Sequence, residues 1–394
     1  MELASRFVFL TCRIGAERVV KSFIGCKYPN LRFAFSRPGF LTFKTTDDSL
    51  VGEGFRLECP FARRWGLSFG RIPLDAPDWP QRVWKTVEGE PIRAVHVWPR
   101  DPTGGRPDET TAPWPEDVCV VERTLLEAAP RELISESLKE TEMRAVESPH
   151  PSVGNTQSEP EDAFWRLAGG KQPLAPGDWV LDCVVVDPGE YWFGCHRVTK
   201  DIQTRWIGGR PPIALPAHAV SRAYLKMEEA LRWAAFPVPQ AARWAELGSA
   251  PGGASQALLD RGYEVLGVDP AEMHPAVANH PRFRHLRRRV PQARRREFRK
   301  IRWLAADMNV APRYTLDAVE GIVTYPECRV RGLILTLKLT QWKLVDELPA
   351  AVERIKSWGF QTVRLRQLWH NRQEICVAAY RTGVHRRDKN VPLA

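Results

Sequence analysis

No run of about eighteen apolar residues occurs in the 394-residue chain, so no stretch of it is suited to cross a membrane as a helix. The opening residues, MELASRFVFLTCR, have an acid at position 2 and read directly into a strand. They lack the basic start and long apolar stretch of a secretory signal, and a cytoplasmic protein is expected. Cysteines 12, 26, 59, 119, 183, 195, 328 and 376 are scattered, with no Cys-x-x-Cys pair. That excludes a zinc ribbon or a redox dithiol, and the thiols are expected to be reduced core residues with no bound metal. Charge is not balanced: 57 Lys and Arg against 47 Asp and Glu give a net charge of +10. Such a surplus favours a polyanionic partner, nucleic acid or an anionic membrane surface.

The first hundred residues mix strand and helix signals. Residues 7–12 and 92–98 read as strands, 16–24 has helical spacing, and 31–44 reads as a hairpin turning at Arg37-Pro38-Gly39. Composition then shifts. Residues 101–163 are rich in Pro, Gly, Ser, Thr and acids, and are expected to form a flexible insertion around a short helical patch at 122–139. Strands 178–187 and 190–197 flank a Pro188-Gly189 turn, and a proline-rich passage at 208–216 follows. The boundaries expected are therefore 1–215 and 216–394.

The second part alternates strand and helix, the signature of an α/β domain. Helical spacing covers 221–235, 255–261 and 340–358; strands are expected at 244–247, 264–268, 301–306, 333–337, 362–368 and 374–380. Asp269, Asp307 and Lys338 stand just past strand ends, on the edge where open α/β sheets bind ligands.

Two constellations carry chemistry. Glu246 precedes a strand-to-helix turn made of Gly248, Ser249, Ala250, Pro251, Gly252 and Gly253. Its glycine spacing is not the Gly-x-Gly-x-x-Gly that cradles a dinucleotide pyrophosphate. An acid there suits a cation instead, and Asp269 at the next strand end suits ribose hydroxyls. A cationic ligand with a ribose and no phosphate fits S-adenosylmethionine. The second set is Lys226, Asp307, Lys338 and Glu374. A ribose 2′-hydroxyl must lose its proton to accept a methyl group, and a lysine can be the base only if its pKa falls toward neutrality. Two lysines among two carboxylates offer that shift and the orientation.

On these residues the chain resembles the FtsJ-like ribose methyltransferases, whose catalytic set is Lys-Asp-Lys-Glu. It is most similar to the RlmM-type branch, which methylates a cytidine ribose of 23S ribosomal RNA. Residues 10–13, 221–229, 248–253, 335–339 and 366–374 carry the resemblance in the family's order. It implies a Rossmann-like class I methyltransferase domain, with Lys338 as the main catalytic lysine and Asp307, Lys226 and Glu374 around it. Asp307 is also expected to approach the cofactor. The resemblance further implies that the N-terminal mixed α+β part is a THUMP-related RNA-binding module. The family places an acid near the cofactor's adenine where this chain has Arg289. The alternatives are the same chemistry on transfer RNA or an mRNA cap, and an RNA-binding protein whose methyltransferase domain is degenerate.

The basic run 284–302 suits RNA phosphates, with Arg287, Arg288, Arg294, Arg295 and Arg296 as contacts. Trp206, Trp342 and Trp369 are candidates for stacking on bases. Oligomeric state is not readable from the chain.

Overall fold

The computed structural model describes residues 5–46, 55–101, 115–130 and 174–382. The chain divides into two compact units, Met1–Ala214 and Leu215–Ala394.

The first unit is built on a seven-stranded sheet ordered β2-β3-β1-β4-β7-β6-β5. Its strands are β1 (Phe7–Cys12), β2 (Leu31–Arg37), β3 (Phe40–Thr45), β4 (Ala62–Arg71), β5 (Ile92–Pro99), β6 (Trp179–Asp187) and β7 (Glu190–Arg197). The expected hairpin is the β2–β3 pair, joined through Gly39 at φ 77°. Helix α1 (Glu17–Lys27) buries Val19, Val20 and Ile24. Strand β4 and helix α2 (Trp79–Lys85) were not anticipated. β4 is masked by its arginines: Arg63 and Arg64 are buried, the first against Asp101 at 2.6 Å, the second against the Gln203 and Trp206 carbonyls.

Most of the expected insertion, residues 102–114 and 131–163, lies outside the described residues. Within it, helix α3 (Glu116–Glu127) begins earlier than the expected patch. Glu116 and Asp117 sit in its first turn, where the helix dipole favours acids. Val118, Val121 and Leu125 are buried, and the Trp84 indole N–H donates to the Leu125 carbonyl at 2.8 Å. This helix is packed rather than marginal.

The second unit has a sheet ordered β10-β9-β8-β11-β12-β14-β13. Its strands are β8 (Arg243–Leu247), β9 (Glu264–Val268), β10 (Phe283–Leu286), β11 (Trp303–Ala306), β12 (Gly332–Lys338), β13 (Thr362–Arg366) and β14 (Glu374–Tyr380). The first five are parallel; β14 runs antiparallel to both β12 and β13. Strand order reverses between β8 and β11, the kind of switch point at whose strand C-termini open α/β sheets bind ligands. Helices α4 (Ala223–Ala234) and α5 (Gly253–Asp260) share one core with Trp244, Trp303, Ala305, Ile334 and Cys376. The close approach of Trp303 to β12 requires Gly332, where a Cβ would stand 2.4 Å from the indole.

Three further helices follow, α6 (Pro275–Ala278), α7 (Pro312–Val323) and α8 (Leu348–Ser357). The expected helix over 340–358 is instead a 3₁₀ segment, Trp342–Glu347, followed by α8. Pro349 is the reason: it lacks an N–H to donate and is tolerated only in the first turn of a new helix. Among the described residues no helix is long and apolar enough to cross a membrane.

Candidate active site

Strand β12 ends at Lys338 and strand β14 begins at Glu374, and the antiparallel register sets these two residues directly opposite each other. Asp307 follows β11, the neighbour of β12, and Lys226 reaches in from the first turn of α4. The four side chains close a ring of alternating charge. Lys338 Nζ lies 2.6 Å from Glu374 Oε2 and 2.7 Å from Asp307 Oδ1. Lys226 Nζ lies 2.6 Å from Glu374 Oε1 and 3.5 Å from Asp307 Oδ2. Glu374 is buried and the other three are half-buried, so each ammonium faces two carboxylates with little water between.

The electrostatics correct one expectation. Burial pulls the Lys338 pKa down, but the charges of Asp307 and Glu374 outweigh it and hold the ammonium above its ordinary range. Burial works upward on Glu374, and Lys226 and Lys338 more than reverse it, keeping the carboxyl below the usual carboxylate range. The lysine is therefore not tuned toward neutrality. Two carboxylates at hydrogen-bond distance stabilise its charged form more than desolvation destabilises it.

The loop from Gly248 to Gly253 leaves the end of β8 beside this ring. Gly248 has φ 79°, and a Cβ there would stand 2.9 Å from the Asp307 carbonyl oxygen. Glycine is needed both for the backbone angle and for the closeness of the two strand ends. Glu246 is 2% exposed and accepts a hydrogen bond from the Ser255 hydroxyl on α5. Burial, opposed in part by the Ser255 hydrogen bond and reinforced by the charges of Asp307 and Asp269, pushes its pKa up to about 8. Asp269, after β9, accepts from Ala250 N at 3.2 Å and Ala271 N at 2.8 Å. It thereby ties the loop to the next strand end, and its carboxylate keeps lone pairs for further donors. Three carboxylates, Glu246, Asp269 and Asp307, thus surround the loop.

Other side chains that place these groups carry no chemistry of their own and gave no sequence signal. Gln256 on α5 accepts from Val220 N and donates to the His218 carbonyl, both at 2.9 Å, fixing the chain just ahead of α4. The Tyr224 hydroxyl donates to Asp260 at 3.0 Å, locking α4 onto α5.

The basic run divides. Arg287, Arg288, Arg294 and Arg296 are exposed, Arg287 with Glu272 at 2.9 Å. Arg289 is exposed as well. Arg295 differs from expectation: it is half-buried, with its guanidinium so close beneath α7 that a Cβ at Gly321 would meet it at 2.8 Å. A glycine on the helix leaves room for the arginine, which packs inward instead of projecting to solvent. Trp206 and Trp369 are buried, which withdraws them as stacking surfaces, and Trp342 is half-buried.

Among the described residues one cluster of possible metal ligands occurs, buried His96, Asp182 and His196 in the first unit. His196 Nδ1 lies 2.6 Å from Asp182 and Nε2 lies 2.8 Å from the Thr204 carbonyl. Burial and the nearby charge of Arg64 depress both imidazole pKa values. That fixed positive charge also opposes a cation in the group. Six of the eight cysteines are buried, as expected of core thiols, whereas Cys26 and Cys119 are exposed.

The FtsJ-like methyltransferase family matches residues 219–345, a span holding Lys226, the glycine loop, Asp269, Asp307 and Lys338. Several curated relatives each match a little under half of the chain. The ribosomal RNA large subunit methyltransferase M of Xylella fastidiosa (strain M23) is 33% identical over 186 residues, covering 44% of this chain and 51% of its own. The protein of that name from Halorhodospira halophila is 31% identical over 193 residues, covering 46% and 53%. The one from Chromohalobacter salexigens is 34% identical over 191 residues, covering 43% and 50%. The chain spans about half the length of the curated relatives it matches. Glu374 lies beyond the family match, and the register of β14 sets it opposite Lys338.

Proposed function

We propose that the protein transfers a methyl group from S-adenosylmethionine to a ribose 2′-hydroxyl of large-subunit ribosomal RNA. The observation that carries the reading is the closed ring of Lys226, Glu374, Lys338 and Asp307 at the sheet edge beside the Gly248 loop. The names of the relatives support ribosomal RNA as the substrate, and the resemblance of the motifs supports a cytidine of 23S ribosomal RNA. The intact ring argues against a degenerate domain.

The residues around the loop fit the cofactor. Buried Glu246 offers a carboxylate to a cation, Asp269 offers acceptors to ribose hydroxyls, and glycines let the backbone approach. Bound there, S-adenosylmethionine supplies an electrophilic methyl group on a cationic sulfur. The chain's own work is at the acceptor oxygen. Lys338 Nζ, held as an ammonium, donates to the 2′-oxygen and stabilises the charge that develops as this oxygen takes the methyl group and its own proton passes to solvent water. Asp307 and Glu374 hold Lys338 in place, and Lys226 neutralises their second oxygens so that neither carboxylate swings away.

The first unit serves in this reading as the THUMP-related RNA-binding module. Edge strand β2 carries exposed Phe33 with Lys21 Nζ 4.0 Å from the ring centre, and β1 begins at exposed Phe7 with Lys44 Nζ at 5.7 Å. Aromatics with adjacent cations suit unstacked bases and phosphates. In the second unit, Arg288, Arg294 and Arg296 are placed to meet phosphates. Replacing all three by Gln is expected to weaken RNA binding and to flatten the slope of log affinity against log salt by about 2 to 3. Filter binding across a salt series measures this; an unchanged slope removes these arginines from the interface.

The deciding experiment is methylation of deproteinised ribosomal RNA in vitro, with mapping of the modified riboses. A single new 2′-O-methyl cytidine in the large-subunit RNA is expected. Methylation confined to transfer RNA or capped RNA, or none at all, overturns the reading.

A further inference from the structure

A wholly buried carboxylate in the second unit, Glu229, belongs to neither constellation. It lies on α4, one helical turn beyond Lys226. It accepts three hydrogen bonds from the turn ahead of β14: Trp369 N at 2.7 Å, His370 N at 2.9 Å and, from the side chain, His370 Nδ1 at 2.8 Å. A carboxylate in the interior is costly unless such donors satisfy it. Three donors from two consecutive residues hold that turn at one height above the helix.

The same turn is braced internally. Leu368 N donates to Asn371 Oδ1 at 2.9 Å, and Gln367 Nε2 donates to the Arg372 carbonyl at 2.7 Å. Gln367 and Asn371 are both 1% exposed. Arg372 N then approaches Glu374 Oε1 at 3.5 Å, the oxygen that also receives Lys226. One helix therefore touches the ring twice. Lys226 contacts Glu374 directly, and Glu229 grips the backbone from which Glu374 projects. Without this clamp the position of Glu374 depends on the pairing of β14 with β12 and on its ion pairs with Lys226 and Lys338.

We propose that Glu229, through the His370 turn, is the positioning residue that sets Glu374 and so the Lys226–Lys338 pair. The proposal rests on the methyltransferase reading above. Replacing Glu229 by Gln puts an amide N–H where a donor already points, so the turn must shift. A displacement of about 1 Å at reacting groups costs about 10²-fold in rate.

The test is steady-state methylation of ribosomal RNA by the full chain with Glu229→Gln and, separately, His370→Ala. The second variant keeps both backbone bonds to Glu229 and loses only the imidazole. Glu229→Gln is expected to lower kcat about 10²-fold, with unchanged S-adenosylmethionine affinity by calorimetry. Its acid limb of kcat is expected to move to higher pH, as Glu374 loses its close hold on the lysines. His370→Ala is expected to lower kcat about tenfold. Retention of wild-type kcat by folded Glu229→Gln overturns the proposal, as does a kcat loss matched by an equal loss of cofactor affinity. If Glu229→Gln does not fold, His370→Ala decides, and an unchanged kcat overturns it. A wild-type protein that methylates no RNA refutes the functional reading itself; an active wild type with equally active variants refutes this proposal alone.

Discussion

Replacing Lys338 by Met is expected to reduce kcat about 10³-fold while leaving S-adenosylmethionine affinity unchanged. The side chain is of similar length, so the pocket stays filled, and what disappears is the ammonium 2.6 Å from Glu374 and 2.7 Å from Asp307. A donor preorganised at developing charge acts only in the transition state, so its loss falls on kcat. Because the neighbouring carboxylates hold the Lys338 pKa up, wild-type kcat at saturating cofactor is expected to be flat from about pH 6 to 9. A lysine acting as a free base would instead make kcat climb with pH. Single-turnover methylation across that range measures both points. A Lys338→Met protein that keeps a tenth of its turnover, or a steadily rising wild-type profile, refutes the assignment. Lys226→Met is expected to cost less, since Lys226 Nζ stands 3.5 Å from Asp307 and acts through the carboxylates.

Why this lysine could be located from sequence but its state could not follows from the range of the forces involved. Asp269, Asp307 and Lys338 were legible because each ends or directly follows an apolar strand, and a charged residue after a continuous buried run is conspicuous. Glu374 was legible as a strand start, but its pairing with Lys338 is a contact 36 residues apart in sequence. The pKa of Lys338 depends on the contest between burial and two carboxylates at hydrogen-bond distance, and no spacing rule encodes that contest. Arg295 failed for a related reason. Nothing in a basic run distinguishes the one arginine that lies beneath a helix glycine from its solvated neighbours. β4 was missed because buried arginines, neutralised by Asp101 and by loop carbonyls, break the apolar alternation on which strand recognition depends. Helix α8 was merged with the segment before it because helical periodicity runs on through Pro349, whose missing donor is a backbone property.

Glu246→Gln is expected to weaken S-adenosylmethionine binding about 30-fold, or about 2 kcal/mol, and to abolish its pH dependence. Glu246 is buried, hydrogen-bonded to Ser255 and faced by Asp269 and Asp307, and its pKa is pushed up to about 8. Below that pH the carboxyl is largely protonated, and a cation that arrives must displace the proton. Wild-type affinity is therefore expected to rise with pH up to about 8, by at most tenfold per unit, and to level off above it. The linkage for folding has the opposite sign. A carboxyl whose folded pKa lies above its unfolded value of about 4.3 binds its proton more tightly when folded, so this group's contribution to stability declines as pH rises from there to about 8. The glutamine keeps the shape and the bond to Ser255 without the charge. Ligand-free Glu246→Gln should consequently melt at a higher temperature than wild type at pH 9 and at a similar one at pH 4. Calorimetric titrations and melts at four pH values read both effects. A pH-independent wild-type affinity would show that the cation is held by Asp269 or Asp307 instead, with Glu246 serving only to anchor α5.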